Sequence, residues 1–98
     1  MNNERHNWTF DEDFICAKIY IYYLSKNFQN INLKFLTEKV KQQLHQIPDS
    51  SIRMRLQNIH AVIIEKGIRT PFSFKALKHY ANNTRLAVEK VLQNSIIN

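Results

Sequence analysis

The stretch Pro48-Asp49-Ser50-Ser51-Ile52-Arg53-Met54-Arg55-Leu56-Gln57-Asn58-Ile59-His60-Ala61-Val62-Ile63-Ile64-Glu65-Lys66-Gly67 reads as one helix with both ends marked. Asp49, Ser50 or Ser51 can accept a hydrogen bond from the free amides of a first turn. Pro48 disfavours helical geometry in the residue before it, and Gly67 can adopt the left-handed conformation that closes a helix. Ile52, Leu56, Ile59 and Ile63 recur at three- and four-residue spacing and form one apolar stripe. The other sides carry Arg53, Met54, Arg55, Gln57, Asn58 and His60, a set dense in hydrogen-bond donors. Such a helix can be bolted to a core on one side while its outer side meets phosphates and base edges. The plainer alternative is a polar face that meets only water, so the surrounding chain has to decide between them.

Ninety-eight residues make a single domain with one core. With 44% hydrophobic residues, one glycine and two prolines, the chain is too apolar for disorder and too poor in turn formers for a many-stranded β protein. An all-α fold follows. The net charge of +6 is unevenly placed. Up to Asp49 the basic and acidic residues cancel, whereas beyond it Arg53, Arg55, Lys66, Arg69, Lys75, Lys78, Arg85 and Lys90 face only Glu65 and Glu89. A one-sided basic field is the footprint of a polyanion binder. Cys16 is the single cysteine and sits in an apolar run, which excludes an intramolecular disulfide and points to a buried, inert thiol in a reducing, cytoplasmic setting. No apolar run approaches the ~18 residues that span a bilayer, and the polar amino terminus has no signal-peptide pattern, so no membrane partner is expected.

Residues 1–7 are expected to be a flexible arm and residues 8–98 a single helical domain. Thr9 and Glu12 have the spacing of a reciprocal cap, so a helix should start near Thr9 and run to Leu24, apolar on nearly every side and hence central in the bundle. The run Ile19–Tyr23 has strand propensity, but the upstream cap commits it to helix. A linker follows, punctuated by Phe28 and Ile31, with Asn30 or Asn32 capping a second helix over Leu33–Gln46. That helix, the break at Ile47-Pro48 and the helix quoted first have the order of a helix-turn-helix. A fourth helix is expected over Phe74–Tyr80, an interruption at Asn82-Asn83-Thr84, and a last helix over Arg85–Gln93 that packs Leu86, Ala87 or Val88, Val91 and Leu92 inward.

The four histidines fall on separate elements without cysteine or carboxylate neighbours at ligand spacing, and Gly67 alone cannot build a phosphate-cradling loop. No catalytic residue, metal ligand or cofactor is therefore assigned. Trp8, beside a helix cap, is expected to seal the core.

The order Trp8-Thr9-x-Asp11-Glu12, an apolar helix ending in Tyr22-Tyr23-Leu24, then Ser51-Ile52-Arg53-Met54-Arg55-Leu56-Gln57-Asn58-Ile59 and Gly67 resembles the amino-terminal helical domain of bacterial HNH-type restriction endonucleases and related proteins. In that group a tryptophan-led helix precedes a serine-led helix of the form Ser-Val-x-Met-Lys-Leu-x-Asn. Ser51, Met54, Leu56 and Asn58 match it by position, and Ile52 and Arg55 are conservative replacements. The resemblance spans roughly residues 8–80 and is sharp over residues 51–59. It departs at Val62-Ile63-Ile64-Glu65, where the group has a Leu-Asp-Pro turn, and the chain contains no HNH nuclease module, so cleavage is not implied. What it implies is a DNA-engaging, targeting module.

Together these readings give a compact all-α bundle of four to five helices with a helix-turn-helix-like core, acting as a double-stranded DNA-binding module of, or related to, a restriction or phage-defence system. The expected contacts are Ser50, Ser51, Arg53, Arg55, Gln57, Asn58, Arg69, Lys75 and Lys78. Arg53 and Gln57 would read base edges and Arg55 would clamp a phosphate. Asn58 would either join the readers or cap neighbouring backbone. Besides double-stranded DNA, the expected partners are a nuclease, a methyltransferase or a second copy of the chain. The rival reading is a protein-interaction module, an inhibitor or a dimerising adaptor, that uses an apolar helix face.

Overall fold

Thr9 opens the first helix as its spacing to Glu12 requires. The Glu12 amide donates to the Thr9 hydroxyl at 3.2 Å, and the Thr9 amide donates to the Glu12 carboxylate at 3.1 Å. From this cap the chain, a computed structural model that describes residues 6–26 and 30–97, runs through α1 (Phe10–Ser25), α2 (Leu33–Lys41), α3 (Asp49–Glu65) and α4 (Asn82–Ile97). No strand occurs among the described residues, and the β-prone run Ile19–Tyr23 is helical. Residues 1–5 of the expected arm, and Phe28 of the expected linker, lie outside the described residues.

Asn32 caps α2 by accepting from the Phe35 amide at 2.8 Å, after Asn30 has turned the chain in the left-handed region. The helix stops at Lys41 rather than at Gln46. Residues 42–47 form turns that bury Leu44 and Ile47, with the Ile47 amide donating to the Leu44 carbonyl at 3.1 Å. Pro48 keeps Ile47 out of helical geometry, and the turns before it carry Leu44 and Ile47 into the core. The Lys41 ammonium donates to the Ile47 carbonyl and pairs with Asp49 at 3.0 Å, tying the end of α2 to the start of α3.

The expected side-chain cap of α3 does not form. Pro48 occupies the cap position, and Asp49 acts instead through its charge at the positive helix end. The other end closes as expected: Gly67 takes φ 76°, its amide donates to Ile64 at 2.9 Å, and the Ile68 amide donates to Ile63 at 3.2 Å. These two bonds satisfy carbonyls that the helix leaves open.

Residues 68–81 contain no fourth helix. Seven residues from Phe74 to Tyr80 are too few to repay helix nucleation alone, and the chain finds better partners by lying across α3 as a strap. The Leu77 amide donates to the Gln57 carbonyl at 3.2 Å, and the Asn58 side chain donates to the Leu77 carbonyl at 2.7 Å. Asn82, Asn83 and Thr84, read as an interruption, instead begin α4, which buries Thr84, Ala87, Val88 and Val91 and leaves Leu86 39% exposed.

Helices α1 and α3 form the centre: each touches the other and both flanking helices, while α2 and α4 do not touch one another. The position expected for α1 alone is therefore shared. α3 is the more deeply buried of the two, and Tyr22 on α1 points outward. No helix among the described residues is long and apolar enough to cross a membrane.

Candidate functional site

The stripe Ile52, Leu56, Ile59, Ile63 is completely buried. Facing away from it, Ser50, Arg53, Met54 and Gln57 fall three and four residues apart and so form a second line along α3. Arg53 is exposed, Met54 is 58% exposed, and Ser50 and Gln57 are half-buried. Farther along the same line Ala61 is buried and Ile64 is exposed again, so Ser50, Arg53, Met54 and Gln57 form the open stretch nearest the α2–α3 connection. Arg69, Lys75 and Lys78 are exposed on the strap that follows α3.

Arg55 lies on another side of the helix and is engaged inside the fold. Its Nε stands 3.1 Å from the Asp13 carboxylate, the two side chains being 12% and 1% exposed. Its Nη1 donates to the Thr84 hydroxyl, and its guanidinium carbon sits 4.7 Å from the centre of the half-buried Trp8 ring. One side chain thereby joins α1, α3, α4 and the segment before α1. The charges are paired by proximity rather than by aligned hydrogen bonds, since neither Asp13 oxygen nor Nε has a well-directed partner. Burial pushes the Asp13 carboxyl up to about 6, against the opposing pull of Arg55. Arg55 as a phosphate clamp is thus replaced by Arg55 as an internal tie, because Asp13 lies on the buried face of α1 with Cys16, Ala17 and Tyr20 and needs a counter-charge. Burial also raises the Cys16 thiol far above its ordinary range, which keeps it protonated and unreactive.

Asn58, of the two roles open to it, takes the structural one, holding Leu77 of the strap. Ser50, Ser51, Met54 and Asn58, with Trp8 and His6, border a hollow of about 300 Å³ between the amino-terminal segment and α3. His6, assigned to the arm, bonds Glu12 at 2.8 Å and meets the Trp8 ring edge-on at 5.1 Å.

His60 was grouped with the outer polar residues but is 2% exposed. The Tyr20 hydroxyl meets its Nδ1 at 2.7 Å and the Thr70 hydroxyl at 3.3 Å, and the Phe72 amide donates to Thr70 at 3.2 Å. Tyr20 has one proton, which it gives to the Thr70 hydroxyl, so the neutral His60 ring donates from Nδ1 to the Tyr20 oxygen. The signal was available in the spacing: His60 follows Leu56 by four residues, and Asp13 precedes Cys16 and Ala17 by three and four. Both are polar residues at buried helical positions, and such residues require partners. Which partners they take cannot be read from spacing.

Among the described residues no three His, Cys, Asp or Glu side chains converge as metal ligands would. Compared with models of protein families, with curated proteins and with solved structures, the chain matches none.

Proposed function

We propose that this chain is a double-stranded DNA-binding module in which the first turns of α3 enter the major groove. The observation that carries this reading is the line Ser50, Arg53, Met54, Gln57, left open on a helix whose opposite stripe is wholly buried. A groove-reading helix needs that division, because one side must be immobile for the other to discriminate bases. The α2–α3 pair, with its connection tied by Lys41, supports the helix-turn-helix arrangement. Arg53 and Gln57 are the base readers, Met54 offers an apolar contact of the kind a thymine methyl accepts, and Ser50 and Ser51 stand where the helix meets the backbone. Arg69, Lys75 and Lys78 supply phosphate contacts from the strap, while Arg55 and Asn58 hold the reading helix in place.

The resemblance to the amino-terminal domain of HNH-type restriction endonucleases fits the same reading, and a restriction or phage-defence system in the cytoplasm is the setting we assign. A nuclease, a methyltransferase or a second copy of the chain would be the protein partner there. A mobility shift with generic duplex DNA at increasing salt tests the proposal. Retention that weakens with salt is the expected result, and no retention at low salt would overturn it.

A further inference from the structure

Tyr22, on the outer side of α1, is 52% exposed, the aromatic ring that stands most clear of the fold among the described residues. It shares no residue with the α3 line, and two hollows use it and Lys18 as a common wall. One, of about 440 Å³, opens between α1 and α4, with Phe14, Ile21 and Val91 among its walls. The other, of about 340 Å³, opens between α1 and the end of α2 beside Ile19, Tyr23 and Lys39. The Tyr22 and Tyr23 rings meet edge-on at 5.0 Å, and Tyr23 meets Phe35 at 5.3 Å, so the aromatic surface is continuous.

Lysines edge this surface at a fixed distance. The ammonium of Lys18 lies 5.5 Å from the centre of Phe14, that of Lys26 5.3 Å from Tyr22, and that of Lys39 5.3 Å from Phe35. Among the described residues none of the three pairs with a carboxylate, whereas Lys41, Arg55, Lys66 and Arg85 all do. Neither hollow has an acidic wall. An exposed aromatic ring between two hollows, rimmed by ammoniums without carboxylate partners among the described residues, offers apolar and charged contacts together, and ammoniums already resting on rings have less freedom to lose when a counter-charge arrives.

We propose that this double hollow docks a segment of another protein that carries two apolar anchor side chains flanked by aspartate or glutamate. The anchors would straddle Tyr22 and fill the two hollows, and the carboxylates would meet Lys18, Lys26 and Lys39. A nucleic-acid strand could use the lysines and stack on Tyr22, but it has no apolar side chain to set against Phe14, Ile21 and Val91 in one hollow or Ile19 in the other, so the acidic protein segment is the better complement.

Fluorescence anisotropy of labelled helical peptides, titrated with the full chain, tests this. The probes have leucine anchors at i,i+4 or i,i+7 with glutamate flanks, the same anchors with lysine flanks, and serine in place of leucine with glutamate flanks. A single-stranded oligothymidylate completes the set. A glutamate-flanked leucine peptide should bind in at least one spacing and the other probes should not. Tyr22→Ala, and the pair Lys18→Glu with Lys39→Glu, should each weaken that peptide by about tenfold or more. The reversed pair should gain the lysine-flanked peptide, which a merely unfolded variant would not, and Tyr22→Ala should leave duplex DNA binding unchanged. Failure of both leucine–glutamate peptides to bind, equal binding of the serine or lysine-flanked probes, tighter binding of the oligothymidylate, or unchanged affinity in the variants would each overturn the proposal.

Discussion

Arg53 and Arg55 are two residues apart on α3, which turns them about 200° from one another around the helix, and their surroundings differ accordingly. Arg53 is exposed, with no ion-pair partner among the described residues, and remains available to a ligand; Arg55 is tied to Asp13, Thr84 and Trp8. Replacing Arg53 or Gln57 by alanine should cost ~1–3 kcal/mol of binding to a selected DNA site and much less on scrambled duplex, because base contacts discriminate and phosphate contacts do not. Paired titrations on the two DNAs check this, and equal losses would reduce both residues to generic anion contacts. Arg55→Ala should act on the fold instead. It strands the Asp13 carboxylate in the interior, at a cost of ~3–5 kcal/mol in urea unfolding, and Asp13→Asn combined with Arg55→Met should recover most of that loss.

At the scale of elements, the strap over residues 68–81 depends on how α3 ends and on what faces it. Gly67 at φ 76° turns the chain back, and a Cβ there would meet nothing within 4 Å. Gly67→Ala should therefore cost only the backbone penalty of the left-handed region, ~1–2 kcal/mol, measured by urea unfolding. The strap's inner fastening is sensitive to acid. Burial holds the His60 ring in its neutral form and lowers its pKa below the ordinary 6.5. The unfolded chain takes up that proton first as pH falls, so the contribution of His60 is complete above about 6.5 and declines below it. The difference in thermal midpoint between wild type and His60→Gln should accordingly be smaller at pH 5 than at pH 7. An equal difference at both values would place the Tyr20–His60 bond outside the strap's energetics.

For the whole molecule the decisive quantity is the charge of the second half of the chain. Lys75 and Lys78 on the strap and Arg53 on α3 are exposed and unpaired among the described residues, while Lys66 and Arg85 are partly offset by Glu89. Raising salt from ~50 to ~200 mM should weaken DNA binding by one or more orders of magnitude, with a slope of log affinity near −0.9 per phosphate neutralised. Charge reversal at Lys75 and Lys78 should flatten that slope, and a salt-independent affinity would refute the electrostatic account.

By itself the sequence determined the all-helical class, the start of α1, the extent of α3, the left-handed glycine that ends it and its buried stripe. Each of these depends on residues within a turn or two of one another: Thr9 with Glu12, Ile52 with Leu56, Gly67 with Ile63 and Ile64. Opposition to that stripe likewise made Arg53 legible as a residue that faces outward. Only the tertiary structure decided that Arg55 turns inward, that His60 meets Tyr20, that Asn58 holds a carbonyl and that residues 74–80 are a strap. The physical reason is the same in each case. The stabilising partner is distant in sequence, Asp13 for Arg55, Tyr20 for His60, Leu77 for Asn58 and the body of α3 for the strap, and local periodicity carries no information about which distant group a side chain will meet.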